Sequence, residues 1–239
     1  MIPARANTVV GVAAAAWLMS GVTSPAPTAH LAAAGPHPTI ERWLAQTDAR
    51  PTSYRAHRRL SAANKRFDKS GWVDVITEFD RTRGFHYEIV GTGGSEYIRR
   101  KVLVPVLERE QRALASDEPE RAAVTGANYT FGDPDTGDDG LVRISILPRR
   151  KEELLVAGAV VLSSDGDLLR LEGRLARNPS FWTRRVDVVR RYARINGVRV
   201  PIEVTSTAQV FVAGTSSFVM CYDYETVDGT AVDSRTSCS

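Results

Sequence analysis

Residues 142–146 read Val-Arg-Ile-Ser-Ile, residues 169–175 read Leu-Arg-Leu-Glu-Gly-Arg-Leu, and residues 198–204 read Val-Arg-Val-Pro-Ile-Glu-Val. Apolar and polar residues alternate in each stretch, and a period of two places the apolar side chains on one face of a strand. Several such strands in series predict an antiparallel sheet with one dry face and one wet face. The dry face must be covered by helices, by the sheet itself or by an apolar ligand.

The N-terminal segment, residues 1–34, predicts a secretory signal peptide. Arg5 is the only charged residue before residue 41, and an apolar run over 9–19 follows it. A membrane-spanning helix needs about 20 residues, and this run is shorter. The small residues that offer cleavage sites are Ala26, Ala29 and Ala34. We therefore expect residues 35–239 to be exported, to the periplasm or outside the cell.

Charge and composition narrow the range of partners. The chain has 31 Lys and Arg against 28 Asp and Glu, a net charge of +3 and a pI of about 9.0. This balance is only weakly basic, and nucleic acid is a poor partner for an exported protein. Arginine-rich clusters could meet anionic lipid head groups or an acidic partner, although solvation on the wet faces is the simpler interpretation. The clusters lie at 58–59, 99–101 and 184–185.

The two cysteines, Cys221 and Cys238, lie close together near the C-terminus. A pair of cysteines in an oxidising compartment predicts a disulfide, which would stabilise the fold by roughly 3 kcal/mol. Tyr222 and Tyr224 share one face of the last long strand, so Cys221 is expected on the other face. The bridge would then tie the polar tail across the outside of the sheet.

The predicted elements are a short helix, three strands, a long helix and then a series of strands. Thr39 is the expected N-cap of the first helix, and Ser95 is that of the second. The second helix should run to about residue 115 and kink at Pro105, which lacks a backbone donor. Asp165-Gly166 and Asn196-Gly197 predict two-residue hairpin turns. Strands are expected near 54–67, 72–79, 85–90, 128–131, 141–147, 154–162, 168–176, 186–195, 198–206, 208–214 and 217–225.

This order of elements predicts an α+β fold. The expected architecture is a large curved antiparallel sheet, an unclosed β-barrel of about 10–11 strands, with two main helices on its concave side. Residues 35–239 would form this half-barrel as a single domain with a disulfide-tied C-terminal tail.

Two segments resemble the bacterial LolA-like superfamily. In 128–173, a strand ending at Pro148 leads to the Asp165-Gly166 hairpin and an alternating strand. Residues 178–184, with the later segment 192–201, are similar to uncharacterised exported proteins of this type. The superfamily includes the periplasmic lipoprotein carrier, its outer-membrane receptor, the LppX/LprG lipid-binding lipoproteins and the RseB/MucB regulators. The resemblance implies a half-barrel that functions in lipoprotein sorting, lipid binding or transport, and the lack of a lipobox cysteine favours a freely diffusing form.

Residue patterns for enzymes and metal sites do not match. His57 and His86 are the histidines beyond the signal peptide and the short linker that follows it, and neither has a Gly-x-Ser-x-Gly elbow or a His-Glu-x-x-His spacing beside it. The acidic loop from Asp133 to Asp139 lacks the glycine and glutamate positions of a calcium-binding EF-hand loop. We therefore predict a protein that is not an enzyme, with no catalytic residues, no metal and no cofactor.

The functional hypothesis is an exported binding protein that shields an acyl chain in an apolar half-barrel, because a long acyl chain needs a large dry pocket and little chemistry. The expected partner is a lipid or a lipidated protein, with peripheral membrane contact and an envelope protein as further candidates and without nucleic acid. The alternative is a periplasmic regulatory or protein-interaction module of the RseB type. Aromatic residues such as Phe211, Phe218 and Tyr222 would line the inner surface or pack against the helices. The candidate lining residues are Val142, Ile144, Ile146, Leu169, Leu171, Val200, Ile202, Val210, Val212, Val102 and Val106.

Overall fold

The computed structural model describes residues 38–45, 51–116 and 121–233. The predicted signal peptide and Cys238 lie outside these residues, so the cleavage and the disulfide stay predictions. The helical segments are α1 (Pro38–Ala45), α2 (Glu96–Ile98), a π-helical segment (Arg99–Leu103) and α3 (Val104–Leu114). The strands are β1 (Ser53–Asn64), β2 (Lys69–Asp80), β3 (Gly84–Gly94), β4 (Tyr129–Thr136), β5 (Val142–Pro148), β6 (Val156–Leu162), β7 (Leu168–Leu175), β8 (Thr183–Ile195), β9 (Val198–Val210), β10 (Gly214–Val227) and β11 (Thr230–Ala231).

All the strands form one antiparallel sheet of 11 strands in the order β3-β2-β1-β10-β9-β8-β7-β6-β5-β4, with β11 beside β10. The two edge strands, β3 and β4, do not pair with each other, so the sheet stays open. Strands that follow each other in the chain lie side by side, except β3 and β4, which are the two edges. Strand β10 pairs with β9 on one side and returns to pair with β1 on the other. The predicted α+β fold with a curved open sheet is confirmed.

Antiparallel pairing sorts the connections between strands into two groups, one at each end of the sheet. We call one the upper end; it carries the connections 65–68, 176–182 and 211–213. The lower end carries, among others, the turns 81–83 and 163–167. The start of the long helix belongs to the upper end, because Ser95 donates its backbone N–H to the carbonyl oxygen of Ser70 at 2.7 Å.

Two apolar cores cover the buried face of the sheet. The long helical run from Glu96 to Leu114 packs on the half of the sheet around β1, β2 and β10, with Leu103 and Leu107 fully buried. Helix α1 and the segment before β4 pack on the half from β4 to β8, where Trp43 and Ile144 are buried. The helices therefore do most of the covering that the alternating strands require.

The predicted kink at Pro105 takes a different form. Residues Arg99–Leu103, directly before the proline, wind as a π-helix, and Pro105 then falls in the first turn of α3. A proline is tolerated in the first turn of an α-helix, where its missing N–H has no intrahelical partner. The local widening therefore accommodates the proline between two helical segments.

Several predicted strand bounds are wrong. Residues 208–214 do not form a separate strand, because β9 continues to Val210 before a tight turn into β10. Strand β4 continues to Thr136 through a register shift, where a loop was expected from residue 132. The Asn196-Gly197 turn has positive φ at both residues, 50° and 79°, as a two-residue hairpin turn requires. At Asp165-Gly166 only the glycine has positive φ, and Ser163 and Asp167 close a longer loop.

Candidate functional site

An apolar cavity of about 320 Å³ opens at the upper end of the sheet. It lies between the start of the long helix and the ends of β1 and β9. Its volume is at the lower end of the range of about 300–1,000 Å³ that ligand pockets occupy. The lining residues are Ala62, Ala63, Asn64, Phe67, Lys69, Tyr97, Ile98, Val102, Trp182, Val210, Val212, Ala213 and Ser216.

Small side chains create this space. Ala62 at the end of β1 and Ala213 in the β9–β10 turn are buried and contribute one methyl group each to the lining, which Ile98 and Val102 of the helix share. Larger residues fill the equivalent positions further down β1, where Leu60 is fully buried beneath the helix. The helix and sheet therefore close tightly in the middle and leave room at the upper end.

The buried polar side chains in the lining, Asn64 and Ser216, are hydrogen-bonded within the protein. The side-chain amide of Asn64 donates to the carbonyl oxygen of Ala213 and to the hydroxyl of Ser216, both at 2.8 Å. Its amide oxygen accepts the backbone N–H of Phe67 at 3.0 Å. These bonds tie the β1–β2 turn to the β9–β10 turn. Because these donors and acceptors are occupied, the cavity is suited to an apolar guest rather than a polar one.

A buried ion pair fixes the other end of the long helix. The Arg58 guanidinium lies 2.7 Å from the Glu110 carboxylate, and the two side chains are 0% and 5% exposed. Arg58 also donates to the hydroxyl of Tyr222 at 3.2 Å and lies 4.3 Å from the centre of its ring. Burial lowers the pKa of Arg58, but Glu110 together with Tyr222 and Tyr54 outweighs it and holds that pKa above its ordinary value. The C-terminal half of the helix is thus bound to the sheet by charge, while its N-terminal end borders the cavity.

Arg190, Arg199 and Tyr129 are further buried polar groups. Burial lowers the pKa of the Arg190 guanidinium, which hydrogen-bonds with Tyr192, and it lowers that of Arg199 to about 10. The Tyr129 hydroxyl accepts the backbone N–H of Val156 at 3.1 Å, and burial raises the pKa of this phenol to about 12. None of these groups lines the cavity.

The sequence-predicted lining residues divide into three groups. Val102, Val210 and Val212 line the cavity. Leu169 is half-buried at a β-bulge, where Leu168 takes the inward position, and Ile202 is also half-buried. The others are buried in the two apolar cores, where helices and neighbouring strands cover them: Val142, Ile144, Ile146, Leu171, Val200 and Val106.

Most of the other lining residues were missed by the sequence analysis. Ala62 and Ala63 carry no strong signal as single residues, and Phe67, Tyr97 and Trp182 lie in or beside turns rather than in alternating strands. The signal that could have identified the last three is the presence of large aromatic residues next to turn residues, where solvated polar side chains are usual.

The other candidate sites remain dispersed. His57 is on β1 and His86 on β3, with β2 between them. Within the described part of the chain, no three His, Cys, Asp or Glu residues are grouped closely enough to hold a metal ion. None of the helices in that part is long and apolar enough to cross a membrane. Cys221 faces away from the buried Tyr222, as the strand parity predicts.

The fold and the cavity define an α+β protein with an open antiparallel sheet and an apolar pocket under one end of a helix. No protein-family model matches the chain, and no curated protein matches it. A solved structure of a DUF1329 family protein from Desulfovibrio piger is similar, with 8% sequence identity and a TM-score of 0.33. The match covers 77% of this chain and 88% of that chain. A similarity of this extent carries no argument about function.

Proposed function

We propose that this protein binds the acyl chain of a lipid or a lipidated protein in the cavity at the upper end of the sheet. The supporting observation is the cavity itself, in which alanine and valine side chains line the wall and the amide of Asn64 is fully hydrogen-bonded. Burying apolar surface drives such binding, at about 0.8 kcal/mol for each methylene group removed from water.

The N-terminal segment supports a role outside the cytoplasm. A charged start, a short apolar run and small residues at the exit are typical of a secretory signal peptide. An exported protein that takes up an acyl chain would carry or shield a lipid between envelope surfaces. This role resembles that of the LolA-like carriers and requires no catalytic residue.

The test is the uptake of a fluorescent fatty acid by the purified protein, compared with two matched variants. Val212→Asp places a charge in the cavity wall, and Val90→Asp places one on β3, away from the cavity. The two valines are 51% and 49% exposed, so each substitution should leave folding intact. We expect Val212→Asp to weaken uptake by about tenfold or more, since an unpaired charge resists desolvation.

The control outcome decides the interpretation. Val90→Asp should bind the fluorescent acid within about twofold of the unmodified protein, because exposed substitutions away from a site have small effects. Uptake that is absent in the unmodified protein, or that falls equally in both variants, would contradict acyl-chain binding in this cavity.

A further inference from the structure

The mouth of the cavity is surrounded by large apolar side chains that are exposed to solvent. Phe181 is 94% exposed, and Phe211 is 62% exposed. Scattered apolar residues are normal on a protein surface, but a contiguous group marks an interaction site. We call this group the rim; its members are Phe67, Tyr97, Phe181, Trp182, Phe211 and Val212.

The rim is one continuous surface built from separate connections. The backbone N–H of Phe211 donates to the carbonyl oxygen of Trp182 at 2.8 Å, which joins the β9–β10 turn to the segment before β8. The rings of Phe181 and Trp182 meet edge to face, with centroids 5.6 Å apart. Phe67, Tyr97, Trp182 and Val212 all border the same cavity. The exposed rings are therefore held together at one end of the sheet.

Basic side chains flank the rim. The Arg184 guanidinium lies 4.3 Å from the centre of the Phe211 ring, and the Lys69 ammonium lies 5.9 Å from that of Tyr97. Lys65 and Arg66 are exposed in the turn that carries Phe67. The acidic residues in the connections that carry the rim are Asp68 and Glu96, and Glu96 is paired with Arg100.

The opposite end of the sheet has the reverse charge character. Its turns hold five aspartates against the two arginines Arg81 and Arg83, and one of the aspartates, Asp167, is paired with Arg194. The five are Asp138, Asp139, Asp165, Asp167 and Asp228. The two ends of the protein thus differ in charge and in exposed apolar surface. A negatively charged surface would attract the upper end and repel the lower end, which orients the molecule before contact.

We propose that the rim docks on the surface of an anionic phospholipid bilayer. Aromatic rings are favoured at the membrane interface, where one part of the ring is dry and the other is wet. Exposed apolar side chains and basic residues together are what interfacial membrane binding requires, and lysine and arginine interact with anionic head groups. In this orientation the mouth of the cavity faces the bilayer. The inference goes beyond acyl-chain binding, because docking does not require an occupied cavity.

The test is flotation of the purified protein with vesicles of phosphatidylglycerol and phosphatidylcholine in equal parts, and with vesicles of phosphatidylcholine only. We expect binding to the anionic vesicles that weakens as salt is raised. The double variant Phe181→Ser/Phe211→Ser should lose about tenfold or more in partitioning, because two apolar rings are removed. Arg184→Gln should lose about fivefold, the effect of one basic residue near an anionic surface.

Matched controls separate docking from the other interpretations. Val90→Ser removes an exposed apolar residue outside the rim and should bind vesicles like the unmodified protein. Phe181 and Phe211 do not line the cavity, so their double variant should still take up the fluorescent fatty acid. Loss of vesicle binding by the double variant, with its uptake of the fluorescent fatty acid unchanged, would show that docking and acyl-chain binding are separate functions.

Three results would overturn the docking proposal. The first is equal partitioning of the double variant and Val90→Ser. The second is equal binding to vesicles with and without phosphatidylglycerol. The third is self-association in sedimentation that the double variant abolishes, because the rim would then be a contact between two copies of this chain.

Discussion

The cavity limits how much of an acyl chain the protein can bury, and this limit can be measured. A methylene group is similar in size to a water molecule, whose share of liquid volume is about 30 Å³, so a cavity of about 320 Å³ holds roughly ten methylene groups. Each buried methylene contributes about 0.8 kcal/mol, which corresponds to about fourfold in the dissociation constant. Affinity should therefore rise about fourfold per carbon for short chains and level off once the cavity is full.

The assay is displacement of a fluorescent fatty acid by saturated acids from hexanoic to hexadecanoic acid, each below its micelle concentration. The unmodified protein should reach its plateau near decanoic or dodecanoic acid. Ala62→Leu extends a side chain into the cavity by three carbon atoms, so its plateau should come about three methylene groups earlier. Affinity that is independent of chain length, or that keeps rising to hexadecanoic acid, would refute the reasoning.

Three further predictions concern the framework that holds the cavity, each measured by urea unfolding. Arg58→Met leaves the buried carboxylate of Glu110 without its partner and should lower the free energy of unfolding by about 3–5 kcal/mol. The control is Arg59→Met, which replaces a side chain that is 55% exposed and should cost at most about 1 kcal/mol. Equal losses in the two variants would contradict the role of the buried pair. The folded state favours the neutral Tyr129 phenol, so the contribution of this group to the free energy of unfolding is lost as the pH rises from 10.0 to about 12. Tyr129→Phe should therefore flatten the alkaline decline in stability, and an unchanged decline would contradict this. A Cβ atom at Gly158 would collide with the backbone of β7, so Gly158→Ala should destabilise by about 3 kcal/mol or more while Gly126→Ala, which meets open space, should not.

The sequence predicts the sheet well because the signal for each strand is local. Alternation in stretches such as 142–146 and 198–204 identifies strands and the face that they bury, and Ile144 and Val200 are fully buried as expected. Turn chemistry also located the hairpin at Asn196-Gly197, where positive φ is needed. These features depend on residues that are neighbours in the chain, so the sequence alone is enough to predict them.

The continuity of β9 depends on partners that are distant in the sequence. The sequence predicts two strands, 198–206 and 208–214, with a break at Thr207. In the structure Thr207 pairs with Asp187 of β8 on one side and with Ser217 of β10 on the other, which keeps the backbone extended. The inward position of Leu168 instead of Leu169 likewise follows from a bulge against β6. Such effects of register are set by the whole sheet.

The cavity was the least predictable feature, because it is a missing volume rather than a motif. It exists because small residues such as Ala62 and Ala213, separated by a long stretch of chain, line the same space near the start of one helix. The candidate lining residues predicted from the alternating strands are spread along the apolar face, whereas the two cores fill most of that face with the protein's own side chains. Phe211 was considered for the inner surface and lies instead on the exposed rim.

The most direct measurement of acyl-chain binding is methyl NMR of valine-labelled protein with unlabelled decanoic acid. The account predicts intermolecular NOEs from the acyl chain to the methyl groups of Val102 and Val210, which both line the cavity. It predicts none to Val160 or Val186, which are fully buried and do not line the cavity. Contacts at those two residues, or no intermolecular NOE at all with saturating decanoic acid, would contradict it.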